Sequence, residues 1–357
     1  VLPLWESYFY VSGTKSNRIY VKCPFRAAIR NGHTFMVPKM LVAGMIPSAG
    51  ALKQALLKRQ FDIADSILNI LSGCIDNSKS LHYAVLVGAE GIIRTLVATS
   101  IGIHQDFTEL EIQKRYYGTS LIPLHRFRVR TPVLSTAILS ENQKIVSLML
   151  SFDILLDPGN TSLERDTDYI SPLTAAVHVG NLNMVTELIA RGVNPCDNRA
   201  IFEACCTGNH EIARAILDAI EAKNQGRQGR GSGFGARAIR EAIEKGDIDM
   251  VDALAPIADM DQAVCGELEN EKALLTAVCA AIFSRSPRRL DMIEILFRHG
   301  ANANQTSESN YHWLSHDGLF GGPSNITPLI MAITTANMAI IQCFLCVLIP
   351  TPSEYCL

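Results

Sequence analysis

One structural motif recurs along this chain, and its clearest copy lies at residues 171–195, SPLTAAVHVGNLNMVTELIARGVNP. Ser171 can cap a helix through its hydroxyl, and Pro172 fits the first helical position, where no backbone donor is needed. Gly180 ends this first helix, and a second helix with a periodic apolar stripe follows, up to the turn residues Gly192 and Pro195. Such a hairpin buries too little apolar surface to fold alone, so it needs neighbours of the same kind.

The hairpin pattern recurs at nine predicted starts along the chain. The starts are Pro24, Ala51, Ser80, Pro132, Pro172, Ala200, Ala238, Ala273 and Pro328. The residue four places after the start is alanine in eight of the nine copies, namely Ala28, Ala55, Ala84, Ala176, Ala204, Ala242, Ala277 and Ala332, with Thr136 as the exception. Alanine lets two helices approach closely and carries no cost in helix propensity. The alanine column therefore predicts tightly packed helix hairpins.

Two further columns support the same register. Five copies have glycine eight places after the start, where the first helix is expected to end; these are Gly32, Gly88, Gly180, Gly208 and Gly246. Arg59, Ser140 and Ala336 stand at this position in three other copies. The second helices share an i, i+1, i+4, i+5 apolar stripe, such as Ile92, Ile93, Leu96 and Val97. One face of each second helix is thus predicted to be buried.

Composition limits the classes of protein to which the chain can belong. The apolar content of 48% permits a continuous core, while the charged content of 19% and net charge of -3 argue against bulk attraction to nucleic acid or anionic membranes. No apolar run reaches the ~18 residues of a membrane span. Most of the ten cysteines lie within apolar helical patterns, and the first residues lack the basic region of a secretory signal. We therefore predict reduced thiols and an intracellular location, cytoplasmic or nuclear.

Several segments carry a family resemblance. They are TPV at 131–133, SPLTAA at 171–176, TPLIMA at 327–332, and the repeat ends LIARGVNP and LFRHGANAN; His82 occupies the third place of the core motif. In these residues the chain resembles the ankyrin repeat family, whose unit is ~33 residues with a T-P-L-H-x-A core. The resemblance implies an all-α fold: an ankyrin-repeat solenoid of about nine helix-turn-helix units with long insertions between repeats.

The resemblance also implies a domain organisation and a function. We expect an N-terminal cap segment at 1–23, a repeat array at 24–348 and a C-terminal tail at 349–357. The function implied is a non-catalytic protein–protein interaction scaffold, which binds a partner protein through the concave face and the turns between repeats. The contact residues implied lie at the exposed ends of the first helices: Arg30, Asn31, Leu57, Lys58, His178, Val179, Thr207, Glu244, Lys245, Thr334 and Thr335. For each of these, the competing interpretation is an ordinary solvated residue.

Three insertions interrupt the array, at 101–130, 224–235 and 305–325. The first ends in LHRFRVR, whose alternating Arg126, Arg128 and Arg130 predict an extended finger. It is either a contact for an acidic partner or phosphate, or a solvated edge ribbon. The second, NQGRQGRGSGFG, lacks the βαβ context of a phosphate loop and is interpreted as a flexible linker.

The third insertion and two short motifs leave further alternatives. His312 and His316 have zinc-compatible spacing but no third ligand placed by sequence, so an aromatic contact point at Trp313 is the preferred interpretation. In SRSPRRL, at 284–290, Ser286 is either part of a phosphorylation or import signal or lies in a solvated loop. The single C-x-x-C, Cys343 and Cys346, is interpreted as core.

No motif for a nucleophile elbow, a phosphate loop or a metalloprotease is present, so we expect no catalytic residue, metal or cofactor. The alternative hypothesis is an enzyme or small-molecule binder in which the three insertions form a pocket over the concave face. Convergent polar side chains around a closed cavity would favour that alternative, and an open groove the scaffold. The end of the sequence, IIQCFLCVLIPTPSEYCL, is apolar with almost no charge, so its last helix is expected either to pack against a further segment or to make an interface.

Overall fold

A computed structural model describes the protein at residues 24–71, 78–98, 107–111, 128–152, 169–224, 233–268, 271–309 and 324–348. The predicted cap segment 1–23, the predicted tail 349–357 and much of the three insertions lie outside these residues, as do Arg126, His312, Trp313 and His316. The described residues divide into two units, one up to Pro172 and one from Leu173 onward.

The first unit consists of consecutive helix pairs and one strand pair. Its elements are α1 (Pro24–Arg30), α2 (Met36–Val42), α3 (Ala49–Leu57), α4 (Phe61–Leu71), α5 (Ser78–Val87), α6 (Glu90–Ala98), β1 (Phe107–Glu111), β2 (Arg128–Thr131), α7 (Val133–Leu139) and α8 (Gln143–Leu150). The first helices α1, α3, α5 and α7 pack side by side, as do the second helices α2, α4 and α6. The strands β1 and β2 pair antiparallel, which confirms the extended conformation predicted at Arg128 and Arg130.

The second unit repeats the helix pairs and adds a larger sheet. Its elements are α9 (Pro172–Val179), α10 (Leu182–Ala190), α11 (Asn198–Thr207), α12 (His210–Asn224), α13 (Ala236–Lys245), α14 (Ile248–Leu254), β3 (Val264–Leu268), β4 (Glu271–Leu275), α15 (Ala277–Phe283), α16 (Arg289–Arg298), β5 (Ser307–Ser309), β6 (Ser324–Ile326), α17 (Pro328–Thr334) and α18 (Met338–Leu348). Helices α11, α13, α15 and α17 form one row, and α10, α12, α14, α16 and α18 form a second. The helix-pair architecture predicted from the repeats is confirmed.

The four strands of the second unit form one antiparallel sheet in the order β3–β4–β5–β6. β4 leads into α15 and pairs with β5 through Leu274 and Glu308. Ser307 and Ser309 pair with Ile326 and Ser324 at the two ends of the third insertion. The connections between repeats thus add two small sheets to a fold that the sequence predicted as all-α.

Eight of the nine turns between the two helices of a pair share one backbone conformation, and the α15–α16 connection is the exception. All five glycines of the predicted column have positive φ, between 68° at Gly208 and 78° at Gly88. Arg59, Glu141 and Ala336 adopt the same left-handed conformation at 50° to 56°. The turn therefore requires this conformation even where no glycine is present. In the copy that starts at Pro132 it falls on Glu141, one residue after the predicted Ser140.

One backbone hydrogen bond connects the left-handed turn to the alanine-column residue of the same repeat. The residue after the left-handed residue donates its N–H to the carbonyl of the alanine-column residue, as from Asn209 to Ala204 at 3.1 Å and from Gln60 to Ala55 at 3.0 Å. The eight alanine-column residues and Thr136 are all buried. In six repeats, the first helix is thus closed by a bond that returns to its buried alanine-column residue.

The second helices of the later repeats begin with a side-chain cap that directly follows the left-handed residue. Asn142, Asn181, Asn209, Asp247 and Asn337 each accept a hydrogen bond from the backbone N–H three residues on. These bonds satisfy donors that a helix start leaves without a partner. The turn signal is therefore a left-handed residue followed by Asn or Asp.

In the first unit, the third residue of a repeat core contacts the next repeat. Lys53 on α3 places its Nζ 4.4 Å from the centroid of the Tyr83 ring on α5. His82 on α5 is buried, and its Nε2 lies 2.9 Å from the carbonyl oxygen of Thr131, just before α7. These contacts fix neighbouring helix pairs relative to each other.

In the second unit, the same position makes the same kind of contact. Thr174 on α9 donates to Asp197 Oδ2 at 3.1 Å, and Asp197 caps α11. Arg240 on α13 is buried and donates from Nη1 to the carbonyl oxygen of Val264 on β3 at 2.6 Å. The third core position is thus a recurrent tie between adjacent repeats.

Two sequence predictions need correction. Ala273, the predicted start of the eighth repeat, lies in β4; the helix begins at Ala277, where Thr276 accepts a bond from the N–H of Cys279. The strand pairing of β4 and this threonine cap set the true start. Cys346 is exposed and Cys343 half-buried, so the interpretation of this pair as core is wrong for Cys346.

No helix among the described residues is long and apolar enough to cross a membrane.

We predict that Gly208→Ala lowers the free energy of unfolding by about 1–2 kcal/mol, because an L-residue there must adopt the left-handed conformation. A Cβ at Gly208 would have no atom within 4 Å, so the cost is in the backbone alone. Gly91→Ala is the matched control, since Gly91 lies in α6 and also has open space around it. It should gain about 0.5–1 kcal/mol. Urea unfolding followed by circular dichroism measures both; destabilisation by both variants would contradict the assignment.

We also predict that Arg59→Gly combined with Gln60→Asn stabilises the first unit by about 1–2 kcal/mol. Arg59 occupies the left-handed position without glycine, and Gln60 stands at the cap position with its buried Oε1 lacking a hydrogen-bond partner. Asparagine is short enough to accept from the N–H of Ile63. Thermal unfolding of the single and double variants tests the prediction, and an unchanged or lowered midpoint for the double variant would refute it.

Candidate functional site

The predicted contact residues all lie at the carboxyl ends of first helices or in the turns that follow. Arg30 ends α1, Leu57 ends α3, Val179 ends α9, Thr207 ends α11, Lys245 ends α13 and Thr334 ends α17. Asn31, Lys58 and Thr335 follow directly, and His178 and Glu244 precede the ends by one residue. Their surroundings differ between the two units.

In the first unit, the predicted residues are exposed. Arg30, Asn31 and Lys58 are solvent-exposed, and Leu57 is 47% exposed although it is apolar. Helices α1 and α3 pack side by side, as do α2 and α4, so the two turns lie at the same end of the helix pairs. The structure therefore brings these four residues to one edge of the unit.

A further exposed residue on this edge was missed by sequence reasoning. Phe35 follows the turn after α1 and is 63% exposed. Its ring lies 6.4 Å from that of His33 in an edge-to-face arrangement and 5.8 Å from Lys39 Nζ. The sequence does contain a signal for Phe35, because it is an aromatic residue in a turn where most other repeats have polar residues. We name Arg30, Asn31, Phe35, Leu57 and Lys58 the turn patch.

The turn patch lies in a segment with no acidic residue. Residues 24–60 contain six basic side chains, Arg26, Arg30, Lys39, Lys53, Lys58 and Arg59, and no Asp or Glu, although the chain as a whole carries -3. Among the described residues, neither Arg30 nor Lys58 has a carboxylate within 4.0 Å. The patch therefore combines two exposed apolar side chains with uncompensated positive charge.

In the second unit, several predicted contact residues instead bind neighbouring helices. His178 Nδ1 on α9 lies 2.7 Å from Glu203 Oε1 on α11. Lys245 donates from Nζ to the carbonyl oxygens of Cys205 and Cys206 at the end of α11. These side chains hold adjacent repeats together, a role that spacing alone did not reveal.

Other predicted residues of this unit make contacts within their own helix or turn, and Thr207 donates to the carbonyl of Glu203, also on α11, at 3.0 Å. Glu244 is exposed and accepts from Arg240 Nε at 2.7 Å, and Thr335 donates to the carbonyl of Ala332 at 2.8 Å. Val179 is half-buried, and Thr334 is the last residue of α17. The predicted residues all occupy the same two positions in their repeats. Within the described part of the chain, the exposed residues among them that make no polar contact with a neighbouring repeat are concentrated in the first unit.

Helices α17 and α18 expose a second apolar surface. Ile330, Ile333, Met338, Leu345 and Val347 are all exposed, and Met338 is 72% exposed. Inside the pair, Phe344 is buried against Phe297 of α16, with ring centroids 5.0 Å apart. The contact surface predicted for the C-terminal helix thus has an apolar face available, and its partner stays a prediction.

The thiols of Cys205 and Cys206 are poorly suited to nucleophilic chemistry. Burial raises the pKa of Cys205 to about 12, and burial also raises that of Cys206 to about 12, with Glu241 adding to the effect. Both are therefore protonated near neutral pH. The part of the chain described by the structure holds no group of three or more potential metal ligands.

Comparison with known proteins gives likenesses in fold. No protein-family model matches the chain, and no curated protein matches it. An ankyrin repeat domain from Acinetobacter baumannii has 21% identity and a TM-score of 0.39, over 60% of this chain and 96% of that one. The ankyrin repeat domain of human ASB11 has 17% identity and a TM-score of 0.38, over 75% of this chain and 96% of that one. The helix-pair architecture rests on the chain's own contacts, and in that architecture the chain is similar to ankyrin repeat domains.

Proposed function

We propose that the protein is a non-catalytic binding module that holds an acidic partner protein on the turn patch. The observation that carries this proposal is the exposure of Phe35 and Leu57 beside Arg30 and Lys58, at helix ends whose inner faces are buried. In a monomeric repeat unit these positions need no apolar side chain. Their exposure is explained if a partner covers them.

The composition of the turn patch resembles the centre and rim of a protein interface. Aromatic and arginine side chains are enriched at interface centres, and a few such residues carry most of the binding energy. Leu57 and Phe35 supply apolar area that a partner can remove from water. Arg30 and Lys58 supply charge that speeds encounter with an acidic surface and disfavours basic competitors.

The repeat fold favours this kind of use. The alanine-column residues are buried, whereas the turn residues of the patch are exposed, so the turn residues can vary without affecting the core. Adjacent turns form a continuous strip that a protein surface can contact at several points.

We predict that Leu57→Asp reduces partner retention by about tenfold or more, because it places a charge in the apolar centre of the patch and repels an acidic partner. Ile70→Asp is the matched control: Ile70 is 44% exposed in the same unit but lies on α4, away from the turns. Quantitative affinity capture from lysate of the source cells compares the two variants with the natural chain. Proteins lost with Leu57→Asp and kept with Ile70→Asp are partners of the patch.

The proposal fails if both variants retain the same proteins, or if nucleic acid is retained in place of protein.

We further predict that Lys58→Glu slows association with a captured partner by about tenfold at low salt and has less effect at high salt, because long-range attraction to an acidic surface is screened by ions. Surface plasmon resonance over a range of ionic strength measures this. Lys144→Glu serves as the charge-matched control, since Lys144 is exposed on α8 in the same unit. Equal slowing by both variants would show that only net charge matters.

A further inference from the structure

A cleft of 430 Å³ lies in the second unit, between the α15–α16 loop and the start of α18. Its polar lining consists of Ser284, Arg285, Ser286, Arg289 and Asn337, and the other lining side chains are apolar. The volume falls in the range of pockets that bind small ligands or peptide side chains. We call it the loop cleft.

The loop cleft is positively charged. Two arginines and no carboxylate line it. Among the described residues, neither Arg285 nor Arg289 has a carboxylate within 4.0 Å. Arg288 of the same loop differs, since its Nε lies 3.1 Å from Asp291 Oδ2 and it does not line the cleft. The two arginines thus give the cleft a formal charge of +2, and no carboxylate among the described residues pairs with either of them.

The other polar groups of the cleft also present donors. Asn337 Oδ1 already accepts from the N–H groups of Ala339 and Ile340, so its amide NH₂ is the group left for a ligand. Ser286 Oγ accepts from the N–H of Arg288 and keeps its hydroxyl hydrogen. Guanidinium, amide and hydroxyl donors therefore line the cleft, and no carboxylate lines it.

We propose that the loop cleft binds a phosphorylated serine or threonine side chain in an extended segment of a partner protein. A phosphate monoester carries a charge of about -1.5 to -2 near neutral pH and three acceptor oxygens, which match two arginines and two neutral donors. A carboxylate carries one charge and would leave one arginine uncompensated. Arginine is also the side chain best suited to bidentate contact with phosphate.

The position of the cleft favours a peptide over a free phosphate compound. Asn337 belongs to the turn between α17 and α18, and Arg285 lies just after the end of α15, so the cleft opens among the turns that follow the first helices. Pro287, Leu290 and Ile340 also line it and offer apolar contacts for residues beside the phosphorylated one. A segment lying along the turns would place its phosphate here.

The test uses the full chain and immobilised libraries of short peptides with a fixed central phosphoserine, serine or glutamate between randomised flanks. We expect the natural chain to be retained at least about tenfold more by the phosphoserine library than by either other library. Arg285→Gln and Arg289→Gln should each remove most of this preference. Arg288→Gln, which causes the same loss of net charge, should leave it within about twofold, because Arg288 is paired with Asp291.

Three outcomes would overturn the proposal: equal retention by the three libraries, an equal effect of Arg288→Gln, or binding of free phosphoserine or glycerol phosphate as tight as that of the peptides. Circular dichroism checks that each variant is folded. Should Arg289→Gln be unfolded, Arg285→Gln decides, since Arg285 is exposed. The loop cleft shares no residue with the turn patch and the probe is a synthetic library, so the outcome does not depend on the partner of the turn patch.

Discussion

The fold depends on the inability of one short helix pair to bury its own apolar flanks. Most helices have only seven to eleven residues, too short for stability in isolation. Each pair gains a buried interior when the next pair covers it, as Phe297 covers Phe344 between α16 and α18. The ties at His82, Thr174 and Arg240 then fix the angle at which successive pairs meet. This stacking positions the exposed turns and loops of each unit.

Much of the helix-pair architecture could be predicted from sequence because its constraints act at fixed spacing. The alanine column is set by close helix approach, and the glycine column by the left-handed turn, so both are visible without a structure. The Asn or Asp that follows the turn, as in Gly180–Asn181, is a further signal that the sequence contains. Ala273 was misplaced because alanine alone cannot distinguish a helix start from a strand, whereas Thr276 could.

The candidate surfaces were harder to predict, because spacing identifies a position but not its neighbours. His178 and Lys245 occupy the predicted face and are engaged by adjacent helices. The turn patch was partly predicted, through Arg30 and Leu57, but Phe35 lies outside the repeat columns. Arg285 and Arg289 of the loop cleft are separated in sequence from Asn337 by more than a repeat, so only stacking reveals their proximity. Local charge was also hidden, since a net charge of -3 conceals the basic segment at 24–60.

The sheet of the second unit joins two connections that belong to different repeats. β4 lies in the connection before α15, and β5 lies in the connection after α16. Their pairing at Leu274 and Glu308 makes these two connections a single hydrogen-bonded sheet. Excising the later hairpin would leave β4 with an unpaired edge, which is a template for intermolecular strand addition. The two connections are therefore structurally dependent on each other. A shortened chain that is to remain monodisperse has to keep both of them or lose both of them.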